Sequence, residues 1–157
     1  MARLNLVAAN PQKEIKPRAA KAPRPVVVTP SNDDQKDHFI TKNGLSYAGS
    51  HLIIDLWEAE GLADRERIEA ALIDAVTAAG ATLLHIHLHT FEEGGGISGV
   101  AVLAESHISV HTWPEKGYAA FDVFMCGDAQ PRKALDVFKR AFNPGRLVVG
   151  EHKRGVV

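Results

Sequence analysis

The side chains with the most chemistry to offer lie between Glu105 and Gly127. If residues 107–113 form a strand, alternation puts Ile108, Val110 and Thr112 on one face and His107, Ser109, His111 and Trp113 on the other. The first face suits a core. The second carries imidazoles, a hydroxyl and an indole, groups that move protons and stack on planar ligands. Residues 118–126 read as the next strand, joined through Pro114, Glu115, Lys116 and Gly117. Pairing through that loop sets Trp113 opposite Tyr118, His111 opposite Ala120 and Ser109 opposite Asp122, and brings Cys126 near Glu105. The one cysteine of the chain then shares a side with His107, Ser109 and His111. Taken singly, each residue fits a solvated strand face beside a buried thiol. A surface strand has little use for all of them together.

A second cluster is His85, His87 and His89. Spacing of two sets three imidazoles on one strand face, an arrangement zinc can use. No carboxylate or thiol sits at a local spacing that completes a ligand set, and an edge face with titratable rings also accounts for them. Other familiar motifs are missing. There is no Gly-rich loop followed by Lys-Ser/Thr, and Gly94–Gly96 lacks the strand-to-helix context of a dinucleotide site. No nucleophile elbow appears.

These residues need a scaffold, and the pattern supplies one α+β domain. Residues 51–57, 81–91, 97–105, 107–113, 118–126 and 146–152 read as strands. Asp64 can cap a helix with the stripe Ile68, Leu72 and Val76, reinforced by Ala71, Ala75 and Ala79, and Gly80 stands at its stop. Pro131 opens a second helix with Leu135, Phe138 and Phe142 inward, ended by Asn143, Pro144 and Gly145. Strands outnumber helices and are joined mostly by short turns. The expected architecture is a two-layer sandwich, a largely antiparallel sheet with two helices packed on one face.

Length and charge set the outer limits. A chain of 157 residues is about one domain. Its formal net charge of −1 gives no reason to expect a nucleic-acid partner. Apolar runs such as Val100–Ala104 fall far short of the roughly 20 residues a membrane span needs, and no apolar stretch follows the N-terminus as a secretory signal would require. A lone cysteine excludes an intrachain disulfide and fits a reducing, cytoplasmic compartment. The charge is uneven: residues 1–30 hold six Lys/Arg against Glu14 alone, and five of the eight prolines. Residues 1–37 therefore read as a disordered basic tail, and 38–157 as the folded domain.

The run Glu105-Ser106-His107-Ile108-Ser109-Val110-His111-Thr112-Trp113-Pro114-Glu115, with Gly117-Tyr118-Ala119-Ala120, Asp122 and Cys126-Gly127, resembles the prokaryotic S-adenosylmethionine decarboxylase proenzyme family. Ile97-Ser98-Gly99-Val100 is similar to the same family. So are the opening Gly49-Ser50-His51-Leu52 with Asp55, and the ending Gly150-Glu151-His152-Lys153-Arg154-Gly155. The likeness covers about residues 44–155. Met125 stands where that family leads one to expect threonine, and the glycine loop is a residue longer than in some relatives.

The resemblance implies a protein that makes its own cofactor. The Ser106 hydroxyl would attack the carbonyl of Glu105, β-elimination would break the chain, and loss of ammonia would leave a pyruvoyl group on the 106–157 piece. That ketone would take the substrate amine as a Schiff base and serve as an electron sink for decarboxylation. It further implies that Ser98 stabilises the oxyanion during processing and that His111 takes the proton. Cys126 would return a proton to the α-carbon, Glu115 would bind ribose hydroxyls, and Phe91 and Trp113 would sandwich adenine. The product would feed spermidine biosynthesis. A homo-oligomer is implied too, a dimer of cleaved units with sites at the subunit interface. Strand parity conflicts with this scheme at one place: a continuous strand over 105–113 points Ser106 away from the face of His111. A bulge or turn at Glu105-Ser106 would repair it. Two other functions stay open, a pyruvoyl-dependent decarboxylase of arginine or ornithine and a non-enzymatic metal-binding domain built on His85, His87 and His89. Phe91, Trp113 and Glu115 favour the nucleoside.

Overall fold

The computed structural model describes residues 39–91 and 95–157. The stretch 1–37 expected as a disordered tail lies outside them, as does Gly94 of the glycine loop. The elements are β1 (Ile40–Lys42), β2 (Leu45–Tyr47), β3 (Gly49–Trp57), α1 (Arg65–Ala79), β4 (Leu83–Thr90), β5 (Ile97–Leu103), β6 (Ser106–Trp113), β7 (Tyr118–Cys126), α2 (Lys133–Phe142) and β8 (Arg146–Arg154). A single 3-10 turn, Pro114–Lys116, joins β6 to β7. Strands β3 to β8 form one sheet in the order β4-β5-β6-β7-β3-β8. Every neighbouring pair in it is antiparallel.

Strands β3, β6 and β7 alternate as expected, and one face of the sheet is the core. Leu52, Ile54, Leu56, Ile97, Ala101, Leu103, Ile108, Val110, Phe121 and Val123 are buried there. The helices cover that face. Asp64 caps α1 by accepting from the Arg67 amide at 3.0 Å, and Gly80 ends it in the left-handed region at φ 73°. Its stripe is the expected one, Ile68, Leu72 and Val76 with three alanines. Helix α2 starts two residues later than Pro131 suggests and turns Ala134, Val137, Phe138 and Phe142 inward, with Leu135 half-buried. Phe121 of β7 stacks on Phe138 at 4.3 Å and meets Phe142 at 5.6 Å, which ties α2 to the middle of the sheet. Thr112, the buried polar side chain of β6 on the core face, is satisfied: it accepts from the Ile97 amide and donates to the Leu62 carbonyl, both at 2.8 Å. A buried hydroxyl so paired pins the β6 end of the sheet to the segment leading into α1.

The hairpin β1–β2 is an addition to the expected strands. Its turn is Asn43-Gly44, with φ 54° and 78°. Two positive φ values make the turn that Asn-Gly favours between antiparallel strands.

Candidate active site

The register of β6 against β7 is the one expected from the loop: Trp113 opposite Tyr118, His111 opposite Ala120, Ser109 opposite Asp122. The face away from the helices therefore gathers the polar and aromatic groups. At its middle, Ser109 donates to Asp122 Oδ2 at 3.2 Å, and His51 Nε2 faces Asp122 Oδ1 at 3.3 Å. Arg154 lies 3.2 Å from His51 Nδ1. A guanidinium only donates, so the neutral ring carries its proton on Nε2, toward the carboxylate. His107 sits beside His51 and Phe124. Burial, and then the neighbouring His51, lower its pKa, with Asp122 pulling the other way.

Ser106 lies at one end of this sheet. Leu103 pairs with Ser106, so Ala104 and Glu105 alone form the turn between β5 and β6. Glu105 sits at φ 65°. A side chain in the left-handed region costs on the order of 1–2 kcal/mol, so the bond before Ser106 belongs to a strained turn. The Cys126 amide donates to Ser106 Oγ at 3.2 Å. Glu105, Ser106, Cys126 and Gly127 line a cavity of about 220 Å³ against the end of α1. Burial and the Glu105 carboxylate push the Cys126 thiol above its ordinary pKa. That thiol is protonated at neutral pH and can give a proton.

The other expected site residues lie at the opposite end. Ser98 Oγ and His111 Nδ1 are 2.8 Å apart across β5 and β6. Trp113 follows on β6, Glu115 is exposed on the 3-10 turn, and Phe91 is exposed past the end of β4. β6 runs from Ser106 to Trp113 in unbroken register with both neighbours, so the bulge that would turn Ser106 toward His111 is not there. Five residues at about 3.3 Å each put His111 roughly 16 Å from Ser106. The structure thus joins Ser106 to Cys126 and Ser98 to His111, and keeps the two pairs apart.

His85, His87 and His89 share the open face of β4, opposite Val102, Val100 and Ser98. Among the described residues no three His, Cys, Asp or Glu side chains gather closely enough to hold a metal ion. Two groupings escaped the sequence reading. The contact of His51 with Asp122 joins strands seventy residues apart and leaves no local signal. Tyr118 bonds Asp55 at 2.6 Å and stacks on Trp57 at 4.4 Å; an aromatic on each of three successive strand ends was the available clue.

A profile of the S-adenosylmethionine decarboxylase family matches residues 50–155. The chain belongs to that family. It is similar to the S-adenosylmethionine decarboxylase proenzyme of Thermomicrobium roseum, 43% identical over 110 residues, covering 69% of this chain and 95% of that protein. It is similar also to the proenzyme of Methanococcus maripaludis, 46% identical over 112 residues, covering 69% and 91%. The crystal structure of the adenosylmethionine decarboxylase from Aquifex aeolicus matches with a TM-score of 0.62 at 37% identity, covering 71% of this chain and 93% of that one. Among the described residues no helix is long and apolar enough to cross a membrane.

Proposed function

We propose that this chain decarboxylates S-adenosylmethionine with a pyruvoyl group that it makes from Ser106, in sites completed across a two-fold dimer. The family supports the reaction and its substrate, and the names of the relatives as proenzymes support processing. The observation that carries the dimer is the separation of the Ser106–Cys126 pair from the Ser98–His111 pair, toward opposite ends of β6.

The residues present fit a pyruvoyl group. Ser106 Oγ is held by the Cys126 amide next to a peptide bond in a strained turn. Attack of Oγ on the Glu105 carbonyl carbon would turn that amide into an ester, and loss of the Ser106 α-proton would release the Glu105 carboxylate. The resulting enamine would hydrolyse to the ketone and ammonia. A pyruvoyl group there supplies an electron sink for decarboxylation. Cys126, lining the same cavity with its proton retained, is the donor to the product α-carbon.

Ser98 and His111 cannot serve Ser106 of their own chain at roughly 16 Å. A two-fold axis near the middle of β6 exchanges the ends of the sheet. It would set the Ser106–Cys126 end of one copy against the Ser98–His111 end of the other, twice. Ser98 would then stabilise the oxyanion and His111 take the α-proton, while Phe91, Trp113 and Glu115 of that second copy would hold adenine and ribose. The open face has the apolar content for such contact: Ile53, Val102, Trp113 and Val148 are each 40–45% exposed on it. Cytoplasmic location and supply of aminopropyl groups for spermidine complete the reading.

Co-expression tests it. Ser106→Ala alone should stay uncut, and His111→Ala alone should stay largely uncut. In a mixed dimer, Ser106 of the His111→Ala chain meets the intact His111 of the Ser106→Ala chain. The expected result is cleavage of the His111→Ala chain, read by intact mass as pieces 1–105 and 106–157. Absence of rescue with mixed dimers present would sink the shared site.

A further inference from the structure

The Trp113 end of the open face carries a row of rings running across the sheet. Trp113 stacks on its cross-strand partner Tyr118 with centroids 5.2 Å apart and planes at 27°. Tyr118 stacks on Trp57 at 4.4 Å and 29°. Arg146, paired with Trp57, sets its guanidinium 5.2 Å over that ring. The Tyr118 hydroxyl donates to Asp55 Oδ1 at 2.6 Å, a short charge-assisted bond. It fixes the phenol ring, and Trp113, 42% exposed, leans on that ring.

On the other side of Trp113 the row has a gap. Phe91 lies past the end of β4, and its amide donates to the Gly96 carbonyl at 3.1 Å. Gly96 brings no side chain, and a Cβ there would come within 2.5 Å of the Thr112 carbonyl oxygen. The strands bearing Phe91 and Trp113 are therefore two spacings apart, about 9.6 Å, with nothing standing on the strand between. One planar ring held between two others needs roughly 7 Å.

We infer that Asp55 and Tyr118 are positioning residues for the adenine end of the substrate, acting through Trp113. They hold the indole at the distance from Phe91 that admits a purine, and so select a nucleoside over a bare amino acid. This rests on the reading of Phe91 and Trp113 as the adenine pair. It adds a bonded support behind the indole that reaches back through Trp57 to Arg146.

The test uses the full chain with Tyr118→Leu, Tyr118→Phe and Asp55→Asn, each checked for complete self-cleavage on a denaturing gel. Tyr118→Leu should raise KM for S-adenosylmethionine roughly three- to tenfold, the worth of one aromatic pair, with kcat little changed. Tyr118→Phe and Asp55→Asn should raise KM less and in the same sense, and they decide the matter if Tyr118→Leu does not fold. In a Trp113→Ala background, Tyr118→Leu should add no further rise. An unchanged KM in all three variants, or a rise that persists without the indole, overturns the inference while leaving the adenine pair standing. An unchanged KM in Trp113→Ala itself overturns the adenine reading and the inference with it.

Discussion

Cys126 shows how little a residue type says before its surroundings are known. A thiolate would be a nucleophile and a poor acid. Burial and the adjacent Glu105 carboxylate push its pKa up, so the chemistry this sulfur can offer is proton donation. Chain cleavage would leave a second carboxylate, the new C-terminus, on the same residue. Cys126→Ala should therefore still cleave and then turn over poorly, with substrate amine left on the 106–157 piece as an N-terminal alanine. Mass spectrometry of that piece after incubation with substrate reads the outcome, and normal turnover with an unchanged terminus would refute the role. Glu105→Gln should move the alkaline limb of kcat to lower pH, because one of the charges holding the thiol proton is gone. Tyr118 gives an optical check on the other end of the face. Its hydrogen bond to Asp55, with burial and the carboxylate charges behind it, pushes its pKa up to about 12. Asp55→Asn should bring the ultraviolet titration of that phenol back toward about 10.

At the level of elements, legibility followed the length of the connection. The β6–β7 register was readable because four residues, Pro114 to Gly117, leave little freedom in how two alternating strands meet. Capping of α1 was readable because Asp64 and Gly80 act within a turn of it. Asn43-Gly44 is an equally local signal, but strands of three residues show too little alternation to mark the hairpin around it. The candidate site was legible as a list and illegible as a place. Parity already pointed Ser106 away from His111. A bulge would have repaired the mismatch within one chain, and β6 has none. Only the whole strand in space shows that the mismatch is a matter of distance as well as direction. Turn chemistry carries a prediction here. Glu105→Gly removes the penalty of the positive φ, so the uncut chain should gain about 1 kcal/mol and cleave more slowly. Urea melts of the precursor, set beside a time course of cleavage, check both. Phe138→Ala, which empties the stack on Phe121, should cost about 3–5 kcal/mol by the same melts.

For the whole molecule, the open face is where pH should act. His107 lies on it beside His51, with a pKa depressed by burial and by that second ring. A histidine whose folded pKa is below its unfolded value of about 6.5 contributes stability above that value, and the contribution is lost as pH falls through the folded pKa. Stability should therefore drop on acidification from pH 8 to pH 5, and His107→Gln should flatten the drop. Denaturation of the uncut Ser106→Ala chain at the two pH values measures this without the complication of two pieces. A slope equal in both proteins would assign the acid sensitivity to other groups.

The sheet order holds a consequence for the history of each molecule. A cut before Ser106 would put β1 to β5 and α1 on one polypeptide, and β6, β7, α2 and β8 on the other. In the sheet these do not lie side by side. β3, from the first polypeptide, is held between β7 and β8 of the second. The pieces are woven, and no dilution short of unfolding could part them. Before cutting, the chain can lose its structure and recover it alone. Afterwards it must find its other half in solution, so recovery should depend on concentration and fail when dilute. Maturation at that turn would thus be irreversible in two senses: it makes the reactive end, and it leaves a molecule that can be assembled only once from a single thread.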